Sequence, residues 1–173
     1  MNCQHCGAPL QLVPHRDFFV CGHCDSLYHP DPNRDGLKLL EEPSGVACPV
    51  CREELVAGSV DRIRVQACSH CLGILTDNSG LLHFLRFVDV EPGAAELPPR
   101  PLRPEELARR VACPSCDRKM DTHPYSGPGN VVIDSCANCG LVFLDHGELD
   151  AITRANAREN GLRQWRSTFI EES

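Results

Sequence analysis

The segment Cys68-Ser69-His70-Cys71-Leu72-Gly73-Ile74-Leu75-Thr76-Asp77 lies without a gap over Cys136-Ala137-Asn138-Cys139-Gly140-Leu141-Val142-Phe143-Leu144-Asp145, and both run on into a helical pattern of apolar residues. Upstream of each stands another C-x-x-C pair, Cys48/Cys51 and Cys113/Cys116, with a proline directly after its first cysteine. A further set, Cys3/Cys6 and Cys21/Cys24, precedes them. All twelve cysteines therefore fall into six C-x-x-C pairs and three sets, with 14, 16 and 19 residues between the inner cysteines and none left over.

Two C-x-x-C pairs at such a separation are the signature of a four-thiolate metal site. The two-residue spacer lets both sulfurs of a pair face one ion while the intervening backbone turns. Pro49 and Pro114 suit that turn by fixing φ, and Gly7, Gly140 and Asp25 suit a left-handed residue closing it. The expected ligand sets are Cys3, Cys6, Cys21 and Cys24; Cys48, Cys51, Cys68 and Cys71; and Cys113, Cys116, Cys136 and Cys139. Zinc takes four thiolates in a tetrahedron, and a closed site holds a fold without activating water. Three structural Zn2+ ions are the expectation. Rubredoxin-like iron uses the same two pairs, and a labile redox dithiol is the other competing chemistry.

The fold class that follows is a small, metal-stabilised, β-rich protein of three tandem zinc ribbons, β-hairpins with C-x-x-C knuckles, the second and third each followed by a short α-helix. Alternation predicts strands over Leu10–Val13 and Phe18–Val20, Glu54–Ala57 and Arg62–Gln66, and Lys119–His123 and Val131–Asp134. Ribbon one is expected over 1–36, a short linker over 37–45 ending in Pro43-Ser44-Gly45, and ribbon two with its helix over 46–91. A proline-rich linker over 92–110 precedes ribbon three with its helix over 111–160 and a tail over 161–173. Prolines 92, 98, 99, 101 and 104 favour an extended spacer, so ribbons one and two are expected as a close pair with ribbon three apart. The helix at Leu81–Val88 carries more apolar surface than one ribbon can bury, which points to contact with ribbon one or the linker, or to self-association.

The third set carries a further likeness. Cys113-Pro-Ser-Cys116, then Cys136-Ala-Asn-Cys139-Gly140-Leu-Val-Phe-Leu144-Asp145-His-Gly147-Glu148-Leu149, resembles the transcription-factor-IIB-type zinc ribbon of bacterial zinc-finger domain proteins, with Phe143 in place of the usual Trp. Residues 111–155 carry the resemblance well. Residues 46–90 are a degenerate copy reading Asn78-Ser79-Gly80-Leu81, and ribbon one resembles only the general class. The resemblance implies four-thiolate zinc at the matching cysteines and no particular substrate. Asp145 and Glu148 have the spacing of a capping box for the helix that follows.

Composition bounds the function. The formal charge is -7, and twelve thiolates with three divalent ions lower it by six more, a field that disfavours nonspecific nucleic-acid binding. Residues 151–173 nevertheless carry Arg154, Arg158, Arg163 and Arg166 with Trp165 and Phe169 between them. His5, His23 and His70 lie inside complete cysteine pairs and read as exposed turn residues. His83 and His146 have no acid, base or nucleophile partner nearby in sequence, and no phosphate loop or paired carboxylates stand out, so the chain reads as no enzyme. Met1-Asn2-Cys3 enters a cysteine pair with no export signal, and no stretch is apolar enough to span a membrane, so a cytoplasmic protein is expected. The preferred role is a noncatalytic zinc-binding adaptor for a protein partner in transcription or translation. The alternatives are direct DNA or RNA binding through ribbon tips and the C-terminal arginines, and, more remotely, a redox-sensitive chaperone.

Overall fold

The computed structural model describes residues 1–87 and 101–157. Ribbon one is a three-stranded antiparallel sheet of β1 (Leu10–Leu12), β2 (Phe19–Cys21) and β3 (Leu27–Tyr28), in that order. The described strands after it form one antiparallel sheet of seven. Its members are β4 (Leu37–Ala47), β5 (Glu54–Val60), β6 (Ile63–Cys68), β7 (Ile74–Asp77), β8 (Asp121–Pro124), β9 (Val132–Cys136) and β10 (Leu141–Leu144), in the spatial order β4-β5-β6-β7-β10-β9-β8. The helices are α1 (Asn78–Phe87), the single turn α2 (Pro104–Leu107), and α3, described over residues 148–157. The hairpin strands fall within a few residues of the positions that alternation predicts. Among the described residues no helix is long and apolar enough to cross a membrane.

Three expectations give way here. Residues 37–45 are no linker: β4 runs through them against β5, with register shifts on either side of Pro43. An edge strand tolerates Pro43 because the N–H that proline lacks is needed by no further neighbour, and the irregularities absorb it. Ribbon three does not stand apart, since β10 pairs with β7 and joins ribbons two and three into one sheet. The proline-rich stretch, in its described part, holds α2, where Pro104 starts the helix after an extended Arg103 and Glu105 and Glu106 lie in the first turn. A proline there gives up an N–H that has no helical partner, and acids there suit the dipole.

The β7–β10 register has a consequence for symmetry. Leu75 faces Phe143, Ile74 faces Leu144, and Thr76 faces Val142. In the sequence alignment Phe143 is the counterpart of Leu75, Leu144 of Thr76, and Val142 of Ile74. The contact therefore maps onto itself when the ribbons are exchanged, and a pseudo-twofold axis passes between Leu75 and Phe143. The axis relates β5, β6, β7 and α1 to β8, β9, β10 and α3, leaving β4 unmatched.

Strand alternation divides the sheet into two apolar faces. On one, Leu37, Val60, Val65, Ile74, Val142 and Leu144 pack with Leu81 and Phe84 of α1 and Leu149 and Ile152 of α3. Phe84 and Ile152 are fully buried, each stabilising by roughly 1.5–3 kcal/mol on burial. Leu81 and Phe84 of α1 are thus covered by the core shared with ribbon three and with Leu37 and Leu39 of the expected linker, not by ribbon one, whereas Leu82 stays half exposed and Val88 lies outside the described residues. On the other face Leu55, Leu75, Val111, Met120 and Phe143 gather with the cysteines of the second and third sets. Gly73 fits only because it lacks a side chain: a Cβ there would lie 2.3 Å from Cζ of Phe143.

Candidate metal centres

Six knuckles build the three centres by one local rule. In each pair the residue after the second cysteine turns left-handed, with φ between 55° and 76° at Gly7, Asp25, Arg52, Leu72, Asp117 and Gly140. Its N–H donates to the carbonyl of the pair's first cysteine at 2.8–3.1 Å. Cys3, Cys21, Cys48, Cys68 and Cys113 also donate their own N–H to the carbonyl five residues on, at 2.7–2.9 Å. These bonds curl the backbone around a point in front of both sulfurs. Sequence reasoning finds Gly7, Gly140 and Asp25 from residue preference. It misses Arg52, Leu72 and Asp117, where the knuckle imposes a conformation that a side chain resists.

The structure brings together all twelve predicted cysteines, in the three predicted sets, with the four sulfurs of each set within 4.8 Å of one another. Cys3 and Cys24 are 3.7 Å apart, Cys48 and Cys71 3.6 Å, Cys51 and Cys68 3.3 Å, and Cys116 and Cys136 3.7 Å. Four sulfurs held about 2.3 Å from a tetrahedral zinc lie about 3.8 Å apart, so the cages have the right size. All twelve cysteines are free thiols, with no disulfide among them.

Their electrostatics call for a cation. In the first set the Ser26 hydroxyl pulls the Cys24 thiol down to about 6. Against the backbone hydrogen bond from Ala8, the sulfurs of Cys21 and Cys24 push Cys6 up to about 12. In the third set the Ser115 side chain pulls Cys139 down to about 7, whereas burial pushes Cys113 up to about 11. Four crowded thiols cannot ionise together unaided; a divalent ion at the centre attracts all four thiolates, leaving the cage with a net charge of about -2. The second and third centres lean on the apolar face of the large sheet, and the first, with Cys6 exposed, does not.

Two residues that sequence reasoning overlooked tie the parts together. The Asp35 side chain is fully buried and accepts from the N–H of Gly147 at 2.7 Å and of Asp150 at 3.0 Å, capping α3 from more than a hundred residues away. Beside it Arg34 donates to Asp150 at 2.7 Å, and Asp150 also pairs with Arg154 at 2.5 Å. The expected capping box is half present: the Asp145 N–H donates to Glu148 Oε2 at 2.8 Å. The Asp145 carboxylate instead pairs with Arg109. That guanidinium is 3.0 Å from Asp134 and sits over the Phe143 ring at 5.9 Å. Only the tertiary fold reveals Asp35 and Arg109, because neither lies in a motif.

His5, His23 and His70 are exposed, as expected of turn residues. His146 and His83 do have acidic partners, distant in sequence: His146 Nδ1 is 3.2 Å from Asp35 and His83 Nε2 is 3.4 Å from Asp61. Arg158, Arg163, Arg166, Trp165 and Phe169 lie outside the described residues, and Arg154 is bound to Asp150.

A family model described as a transcription factor zinc-finger, the TFIIB-type zinc ribbon, matches residues 47–86 and 112–155. No curated protein and no solved structure matches the chain. Ribbons two and three thus match the zinc ribbon of the transcription-factor type, ribbon one lies outside the match, and the three four-cysteine cages hold structural zinc.

Proposed function

We propose that this protein is a noncatalytic zinc-ribbon adaptor that recognises a protein partner in the transcription or translation machinery of the cytoplasm. The observation that carries the reading is the engagement of four of its cations in ion pairs within the chain. On a chain of net charge -7, Arg34, Lys38, Arg109 and Arg154 are tied to Asp150, Asp17, Asp134 and Asp145 in internal ion pairs. A nucleic-acid interface needs such cations turned outward to displace counterions from phosphates. Four thiolates per cage leave no coordination position for a substrate, which supports a noncatalytic role.

The test is fluorescence anisotropy with random duplex and single strands, alongside in-cell crosslinking of the tagged full chain. Negligible binding at physiological salt, with a reproducible crosslinked protein, is the expected result. Submicromolar affinity falling about tenfold or more between 50 and 200 mM salt would overturn it in favour of nucleic-acid recognition. The chain should then be shortened after Ala157 and no earlier, because Ile152 is a fully buried core residue. Loss of binding on that truncation would place the contact on the C-terminal arginines, and persistence would place it on the ribbons.

A further inference from the structure

The pseudo-twofold axis allows the two ribbons to be compared site by site, and one site is filled in ribbon three and open in ribbon two. In ribbon three the Arg109 guanidinium lies among Asp134, Asp145 and the Phe143 ring, and the cleft that remains there measures about 160 Å³. The counterparts of Asp134, Phe143, Asp145 and Val111 in ribbon two are Gln66, Leu75, Asp77 and Val46. These four line a groove of about 810 Å³, the size of a small-ligand site. The counterpart of Arg109 is Ser44, too short to reach in, and its hydroxyl bonds the Leu55 carbonyl.

The open site keeps the acceptors of the filled one. The Gln66 Oε1 atom is buried without a hydrogen-bond partner, which costs about 1–3 kcal/mol unless something donates to it. Asp77 uses Oδ1 to cap α1 through Gly80 N–H at 2.7 Å and makes no ion pair among the described residues. Leu75 supplies an apolar floor where Phe143 supplies a ring. The arginine on the described groove wall, Arg64, is drawn off to the Arg16 carbonyl at 3.0 Å and toward Glu42 at 4.0 Å, and the His83 ring there lies 3.4 Å from Asp61.

We propose that this groove is a recognition site for an arginine side chain presented by an extended segment of a protein partner, seated between Gln66 and Asp77 as Arg109 is seated between Asp134 and Asp145. The source of the arginine rests on the adaptor reading; the chemistry of the groove does not. A planar donor fork matches one amide oxygen and one carboxylate, whereas a phosphate would meet Asp77 with like charge.

The experiment titrates the full zinc-loaded chain, labelled for NMR, with N-acetyl-arginine amide, with the neutral isostere N-acetyl-citrulline amide, and with N-acetyl-glutamate amide. Saturable shifts of Gln66, Leu75 and Leu141 by the arginine probe alone, at roughly millimolar Kd, are expected for a single side chain. Gln66→Asp, which copies ribbon three, should tighten binding about tenfold, and Asp77→Asn, which keeps the helix cap, should weaken it about tenfold. No saturable shift, an equal response to citrulline, a response to glutamate governed by Arg64, or a folded Gln66→Asp protein with unchanged affinity would each overturn the assignment. Arginine binding without any crosslinked protein would leave the groove assigned and refute the adaptor reading.

Discussion

Replacing Asp35 by Ala should loosen α3 although the two are remote in sequence. Asp35 supplies two short charge-assisted hydrogen bonds to the start of that helix, at 2.7 and 3.0 Å, from a fully buried position. Losing an N-cap costs about 1 kcal/mol, and stranding the buried Asp150 N–H costs about 1–3 kcal/mol more. The sum, about 3 kcal/mol, corresponds to roughly a hundredfold in the local opening equilibrium. Native-state hydrogen exchange on the zinc-loaded protein reads this directly, through the amides of Gly147, Asp150, Ala151 and Ile152. Asp35→Asn retains one acceptor but turns an amine toward the second donor, so it should recover only part of the loss. Exchange changed by less than about fivefold, under 1 kcal/mol, would refute the claim that the Arg34-Asp35 turn docks on ribbon three.

Cys136→Ser should make residues 46–87 as protease-sensitive as residues 111–157, because β7 and β10 share one sheet; a resistant 46–87 fragment would show that each ribbon stands alone. Gly73→Ala should destabilise by about 1–3 kcal/mol through overpacking, since its Cβ would meet the Phe143 ring; denaturant titration should show Phe143→Leu in the same chain recovering most of this, and additive losses would refute the contact. Arg52→Gly places glycine at φ 67° and should raise stability by up to about 1 kcal/mol, with slower zinc transfer to a chelator as the readout and faster transfer as the contrary result. Elemental analysis should find three zinc ions per chain, and two or fewer in folded, reduced protein would sink the three-cage assignment.

What the sequence discloses here is what short-range rules govern. The cysteine spacing identifies the cages, because a knuckle is a local object of about six residues. The hairpin strands follow from alternation between one pair and the next. β4 stays hidden because Glu41-Glu42-Pro43-Ser44-Gly45 carries the composition of a connector, and only an edge position with register shifts makes it a strand. The pairing of β7 with β10 is invisible for a different reason: the same apolar alternation serves any neighbour, and the choice depends on two ribbons meeting. Asp35 looks like one acid of a polar turn, Asn33-Arg34-Asp35-Gly36, until α3 is placed above it. The apolar run that starts at Leu81 does announce a surface too large for one ribbon; what it withholds is that its described residues are covered by a core shared with ribbon three.

Carrying both halves of the pseudo-twofold contact on one chain changes how the contact responds to dilution. Two separate ribbons meeting through a self-matching edge would fall apart as their concentration dropped. Joined by a short tether, each meets its counterpart at an effective concentration on the order of millimolar, whatever the abundance of the protein. The union also releases the halves from having to stay identical. Leu75 can face Phe143, and Gly73 can yield space to that ring with no reciprocal demand at Leu141. One copy of a site can close on an internal arginine while the other stays open.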